Sequence, residues 1–178
     1  MSRLHITTID QATGQAAELF TTIKSSVGKV PNAYATIGSH SPPILKQALE
    51  HNAALKQGAL SDRELEAINL VVSEATGCDY CLAAHTLMAK MAGYSVEQTR
   101  QLRTGLYEDD VAIDALVRFA REVVTTTGTL PEASLEAIQA VGYTDRQVIE
   151  AISAISAILF TNMVNRVNDT TVDFPKIA

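Results

Sequence analysis

Ser61-Asp-Arg-Glu-Leu-Glu-Ala-Ile-Asn-Leu-Val-Val-Ser-Glu-Ala-Thr76-Gly77-Cys78-Asp-Tyr-Cys81-Leu-Ala-Ala-His85 decides how this chain is read. Ser61 and Glu64 form a capping box, S-x-x-E, in front of an apolar run. The helix that follows presents Leu65, Ile68 and Val72 on one face and stops at Thr76-Gly77, where glycine suits a left-handed C-cap. A second helix starts at once, from Cys78 to about Ala92, and Gly93 ends it. Cys78 and Cys81 are the only cysteines. Positions i, i+3 and i+7 share a helix face, so both thiols and the His85 imidazole point the same way.

Outward from this pair the same punctuation recurs. Asp10 to Thr13 starts a first helix through Glu18, Phe20 and Ile23, ending near Gly28, and Pro31 opens a short segment to Gly38. Ser41-Pro42-Pro43 starts a helix that runs to Gly58, with proline at its tolerated first turn. Ser95-Val96-Glu97-Gln98 and Thr144-Asp145-Arg146-Gln147 are further capping boxes. Helices are expected over about Asp109 to Thr127, Pro131 to Val141 and Thr144 to about Val167. No segment shows sustained strand alternation bounded by hairpin turns, so the fold class is all-α.

Composition fits a single domain over residues 1–178. Such a chain buries roughly 70% of its unfolded surface, enough for a core without staples. Hydrophobic residues are 47%, aromatics only 5% and Trp is absent. Small aliphatic side chains therefore fill the core, which favours closely packed helices. The net charge of −6 and the lack of any Lys/Arg cluster argue against nucleic-acid binding. The N-terminus has no apolar signal region, and the longest apolar stretch, Ala151 to Phe160, is too short to span a bilayer. A cytoplasmic protein without membrane partners is expected. In a reducing compartment a lone cysteine pair is more often catalytic or metal-binding than structural.

Shifting the sequence by 84 places Glu66-Ala67-Ile68 on Glu150-Ala151-Ile152 and Cys78 and Cys81 on Asn162 and Asn165. This pattern reads as an internal repeat whose second copy lacks the thiols, or as the easy matching of Ala/Ile-rich helices.

Three chemistries fit the cysteine pair. One is a peroxidatic or exchange dithiol, with His85 at i+4 from Cys81 to take or return a proton. The second is a pair of inert buried thiols. The third is a zinc site with Cys78, Cys81 and His85 as ligands and Glu66 as a fourth, although structural zinc usually draws two separated ligand pairs. Attached c-type haem needs histidine immediately after the second cysteine and is excluded. Cys78 lies at the helix start, where free N–H groups and the dipole lower a thiol pKa. That places the nucleophile there. Spacing leaves Glu66 and Glu74 open as the carboxylate that orients His85, and His5, His40 and His51 are left as structural.

Glu66 with Cys78-Asp-Tyr-Cys81 and His85 gives E-x11-C-x-x-C-x3-H. This resembles the carboxymuconolactone decarboxylase and alkylhydroperoxidase D superfamily. Asp10 to Gly14, Leu19-Phe20, Val30-Pro31-Asn32, Ser41-Pro42, Asn165-Arg166-Val-Asn168 and Asp173-Phe174-Pro175 carry the resemblance over most of the chain. It implies an all-helical bundle with an internal two-fold-like repeat, assembled as a trimer or hexamer. It also implies thiol-dependent peroxidase or disulfide-reductase activity with no metal, haem or flavin. Its partners would be a hydroperoxide substrate and an external dithiol reductant. In that scheme Cys81 attacks the peroxide, Cys78 resolves the sulfenic acid, and His85 positioned by Glu66 relays the proton. The alternatives are a redox sensor or ligand-binding protein on the same fold, and a decarboxylase. Tyr80 stands where alkylhydroperoxidase D proteins carry histidine. The lactone decarboxylases lack the cysteine pair.

Overall fold

The computed structural model describes residues 2–4, 6 and 9–175. After a 3-10 turn at Ile9–Gln11 come α1 (Gly14–Val27), α2 (Asn32–His40), α3 (Pro42–Lys56), α4 (Asp62–Thr76) and α5 (Asp79–Met91). Then follow α6 (Val96–Thr104), α7 (Val111–Thr125), α8 (Glu132–Ala140) and α9 (Asp145–Asn168). Among the described residues there is no strand, and the fold is all-α as the sequence predicts.

All three capping boxes form, with the Ser61, Ser95 and Thr144 hydroxyls each accepting from the N3 backbone N–H. Each therefore fixes a helix start within a residue of its sequence position. Several boundaries differ from expectation: α2 runs past Gly38 to His40, α7 ends at Thr125, and three others have plain local causes. Residues 9–11 form their own 3-10 turn, closed by the Ala12 N–H on the Ile9 carbonyl, so α1 starts only at Gly14. The third helix stops at Lys56, because the Gln57 and Gly58 amides fold back onto the Ala54 and Leu55 carbonyls. The seventh starts at Val111, where the Asp110 carboxylate caps the Ala112 and Ile113 amides.

The centre of the bundle is α4, packed against α5, α6, α7 and α9. Leu65, Ala67, Ile68, Leu70, Val71 and Val72 are all buried. A helix apolar on nearly every side belongs inside a bundle. A smaller cluster of Phe20, Ile23, Val30, Ala35, Ile37 and Leu45 joins α1, α2 and α3. There α2 comes so close that a Cβ on Gly38 would lie 2.5 Å from the Phe20 ring.

The 24-residue helix α9 is long and apolar enough by length and composition to cross a membrane. Here it packs against α4, α3, α5 and α7 and buries three asparagines, Asn162, Asn165 and Asn168. Ile149, Ile152, Met163 and Val167 remain exposed on its other side.

Candidate active site

Gly77 ends α4 in the left-handed conformation, φ 67° and ψ 42°, where other residues are strained. The chain turns there and makes Cys78 the N-cap of α5. The first backbone N–H groups of a helix have no intrahelical partner. One of them, on Cys81, donates to the Cys78 sulfur at 3.3 Å. The two cysteines are free and buried, at 1% and 3% exposure. The two thiols share a hydrogen bond across 2.7 Å. A disulfide needs about 2.05 Å between sulfurs, so closing it asks for little movement.

This arrangement divides the pair electrically. The thiol hydrogen bond from Cys81 holds the Cys78 thiol below its usual pKa, against the cost of burial. The Cys81 amide and the charge of His85 add to the lowering, and Asp79 opposes it. Cys81 is pushed up, first because its proton is held by Cys78 and second by burial. Asn165 and Thr161 act on Cys81 in the opposite direction. Cys78 is thus the more readily ionised sulfur of the pair and Cys81 the one that keeps its proton. This is the assignment the helix-start argument makes, and it differs from the order of attack implied by the family resemblance.

Between Glu66 and Glu74 the structure chooses plainly. The Glu66 carboxylate meets His85 Nδ1 at 2.8 Å and is 7% exposed. Asn69 Nδ2 donates to its other oxygen at 3.3 Å. The antiparallel packing of α4 and α5 makes this contact, with the Gly77 turn between them. Glu74 lies at the end of α4, exposed, and pairs with Arg103 at 2.6 Å. The structure therefore brings Glu66, Cys78, Cys81 and His85 together, and the field of His85 is felt at Cys78.

Tyr80, inside the CxxC, faces elsewhere. Its hydroxyl donates to Asp173 at 2.8 Å and accepts from the Ala33 N–H at 3.1 Å. Its ring meets Phe174 edge-on. Lys29 pairs with the Asp173 carboxylate at 2.9 Å and lies over the Phe174 ring. Burial above all pushes the Tyr80 phenol far up, so it holds its proton at neutral pH. Tyr80 is a clasp between α2, α5 and the C-terminal segment.

Two residues of the site carry no signal in the motif. Asn165 of α9 donates from Nδ2 to the Cys81 sulfur at 3.3 Å. The Tyr34 hydroxyl, held by Asn52, lies within electrostatic reach of Cys81 and Glu66. Asn165 is marked in the sequence by the 84-residue shift that sets it on Cys81 and by its place in the Asn165-Arg166-Val-Asn168 stretch, neither of which gives it a role. Of the other histidines, His51 bonds Ser153 at 2.6 Å and His5 lies outside the described residues. Among the described residues no group of three or more His, Cys, Asp and Glu is arranged to hold a metal ion. A surface groove of about 740 Å³, lined by Glu74, Arg103 and Arg121 among others, includes none of the site residues.

Residues 42–122 match the carboxymuconolactone decarboxylase family, a span that contains the whole Glu66-to-His85 site. No curated protein sequence matches the chain. Among solved structures, it is similar to an alkylhydroperoxidase D core, a peroxidase-related protein from Ralstonia eutropha, with a TM-score of 0.86 and 21% identity. That match covers 97% of this chain and 92% of the other. A second peroxidase-related protein, from Silicibacter, aligns with a TM-score of 0.82 at 20% identity, over 96% and 91% of the two chains. A debrominase, solved as a cysteine-to-alanine variant with 2,3,4-tribromopyrrole, aligns with a TM-score of 0.80 at 18% identity, over 97% and 94%. At these identities the likeness establishes a shared fold, one that accommodates more than one activity.

Proposed function

We propose that this chain, whose residues 42–122 match the carboxymuconolactone decarboxylase family, is a thiol-dependent peroxidase working through Cys78 and Cys81. The observation that carries this reading is the divided dithiol beside a carboxylate–imidazole pair: Cys78 and Cys81 share a hydrogen bond at 2.7 Å, the Cys81 amide donates to the Cys78 sulfur, and Glu66 holds His85 at 2.8 Å. A thiolate, rather than a thiol, is the nucleophile. Cys78 is the sulfur these contacts charge, so it attacks the distal oxygen of a hydroperoxide.

The O–O bond breaks, Cys78 becomes a sulfenic acid, and the departing alkoxide takes a proton from the His85 imidazolium. Cys81 then gives its proton to His85 and attacks the Cys78 sulfur. The S–O bond breaks, and hydroxide leaves as water with that proton. An external dithiol reduces the Cys78–Cys81 disulfide and restores both protons, one to His85 and one to Cys81. Glu66 fixes the ring orientation and stabilises the imidazolium, as the third member of a nucleophile–base arrangement does. The exposed Ile149, Ile152, Met163 and Val167 of α9 support self-association as part of the same reading.

Rapid-mixing oxidation with hydrogen peroxide and an organic hydroperoxide, followed by mass spectrometry, tests this. The wild type should form the Cys78–Cys81 disulfide and turn over with a dithiol. Cys78→Ser should lose rapid oxidation, while Cys81→Ser should stop at a single sulfenic acid on Cys78. Reversed phenotypes would give Cys81 the attacking role. Thiols that stay reduced under excess peroxide would remove the peroxidase reading altogether. A single oxidation without dithiol recycling would mark a sensor.

A further inference from the structure

Three buried asparagines occupy successive turns on one side of α9, and their bonding differs. Asn162 uses both ends of its amide: Nδ2 donates to Thr76 Oγ1 at 2.8 Å and Oδ1 accepts from Ser73 at 3.4 Å. Asn168 does likewise, donating to Thr36 and Thr170 and accepting from the amides of Arg3 and Leu4. Both are pins between segments. Asn165, 3% exposed, donates only to the Cys81 sulfur, and its Oδ1 is buried with no hydrogen-bond partner. An unpartnered buried carbonyl is costly, and native proteins keep few of them. What this amide contributes is its donor, aimed at a reacting atom.

We propose that Asn165 is a catalytic residue that stabilises Cys81 as a thiolate for the resolving step, an inference that rests on the dithiol reading above. At rest Cys81 needs no such help, because it keeps its proton, hydrogen-bonded to Cys78. Once Cys78 is a sulfenic acid, Cys81 must ionise in a buried place to attack it. The Nδ2–H of Asn165 then meets the developing negative charge on Cys81 Sγ. As Cys81 attacks, its electron pair forms the S–S bond, the Cys78 S–O bond breaks, and the departing hydroxide receives the proton Cys81 released. In the reverse sense the same donor stabilises Cys81 whenever it leaves from the disulfide.

Methyl methanethiosulfonate separates the two steps without peroxide. The Cys78 thiolate takes its methylthio group and releases methanesulfinate; Cys81 then displaces methanethiolate and closes the disulfide. Mass spectrometry follows the adduct. Asn165→Ala should leave adduct formation unchanged and prolong adduct lifetime roughly 10- to 100-fold, the effect of losing a hydrogen bond to a charged group. Asn165→Asp keeps the shape, replaces the donor by a carboxylate, and should slow closure further. In a Cys78→Ser background, where the resting partner is absent, Asn165→Ala should raise the Cys81 pKa by about one unit or more. Asn162→Ala, which removes a pin of equal burial, should lower the melting temperature without moving that pKa. An unchanged adduct lifetime and an unchanged Cys81 pKa in folded Asn165→Ala or Asn165→Asp would overturn the proposal. Because the reagent is not a peroxide, failure of the peroxidase reading alone leaves this result standing.

Discussion

Cys78 to Cys81 and Asn162 to Asn165 lie 84 residues apart and meet face to face, with Asn165 on Cys81 and Asn162 on Thr76. They differ in one backbone feature. In the first segment Gly77 breaks the helix and gives Cys78 the free amide of Cys81. In the second, Thr161 stands at the matching place and α9 runs straight through. Buried polar side chains are possible in both. Only at a helix start does the backbone itself stabilise an anion. The broken segment is suited to holding charge, and the continuous segment to supplying neutral donors.

The carboxylates at the matching positions divide in the same way. Glu66 binds a titratable ring, whereas Glu150 accepts from the Ala59 and Leu60 amides at 2.6 and 3.2 Å and pairs with Arg146. Removing the ring should produce the largest effect of the comparison. His85→Ala is expected to slow Cys78 oxidation by about 100-fold or more, the usual contribution of a positioned acid–base group. A variant as fast as the wild type would confine the chemistry to the sulfurs and the helix start.

Glu150→Gln should show the converse: a stability loss with the oxidation rate intact. Burial works against the Glu150 carboxylate, yet the Ala59 amide, Arg146 and the Leu60 amide together hold its pKa below the usual range. A depressed folded-state pKa contributes stability above the unfolded value, and that contribution is lost as pH falls through the folded one. The wild type should therefore exceed Glu150→Gln by about 1 kcal/mol at neutral pH. That gap should shrink as the pH is lowered through and below the ordinary carboxylate range. Chemical denaturation at several pH values measures it; a gap independent of pH would assign the loss to packing.

The sequence made much of this legible because the deciding signals are local. Capping boxes, glycine stops and the cysteine–histidine spacing act within one or two turns; the capping boxes and the stops at Gly28 and Gly77 are realised where they are written, whereas Gly38 lies inside α2 and α3 ends before Gly58. Two features were not legible. The choice of Glu66 over Glu74 depends on the angle at which α4 and α5 pack after Gly77. Asn165 reaches Cys81 only through the contact between α5 and α9. Both are set by packing between helices, to which residue spacing along one helix is blind.

Tyr80 gives the smallest and sharpest test of that lesson. It stands between the two cysteines, where the resemblance sets a histidine. The helix turns its side chain away from the sulfurs and toward Ala33 and Asp173. Tyr80→Phe deletes one donor and one acceptor and keeps the ring edge against Phe174. The expected cost is about 1 kcal/mol. For a domain of this size that lowers the melting temperature by roughly 2–4 °C. Sulfenic acid formation at Cys78 and closure by Cys81 should proceed as in the wild type. If Tyr80→Phe instead slowed oxidation about as much as His85→Ala, the phenol would be carrying a proton. Adjacency along the chain would then count for more than the direction its side chain takes.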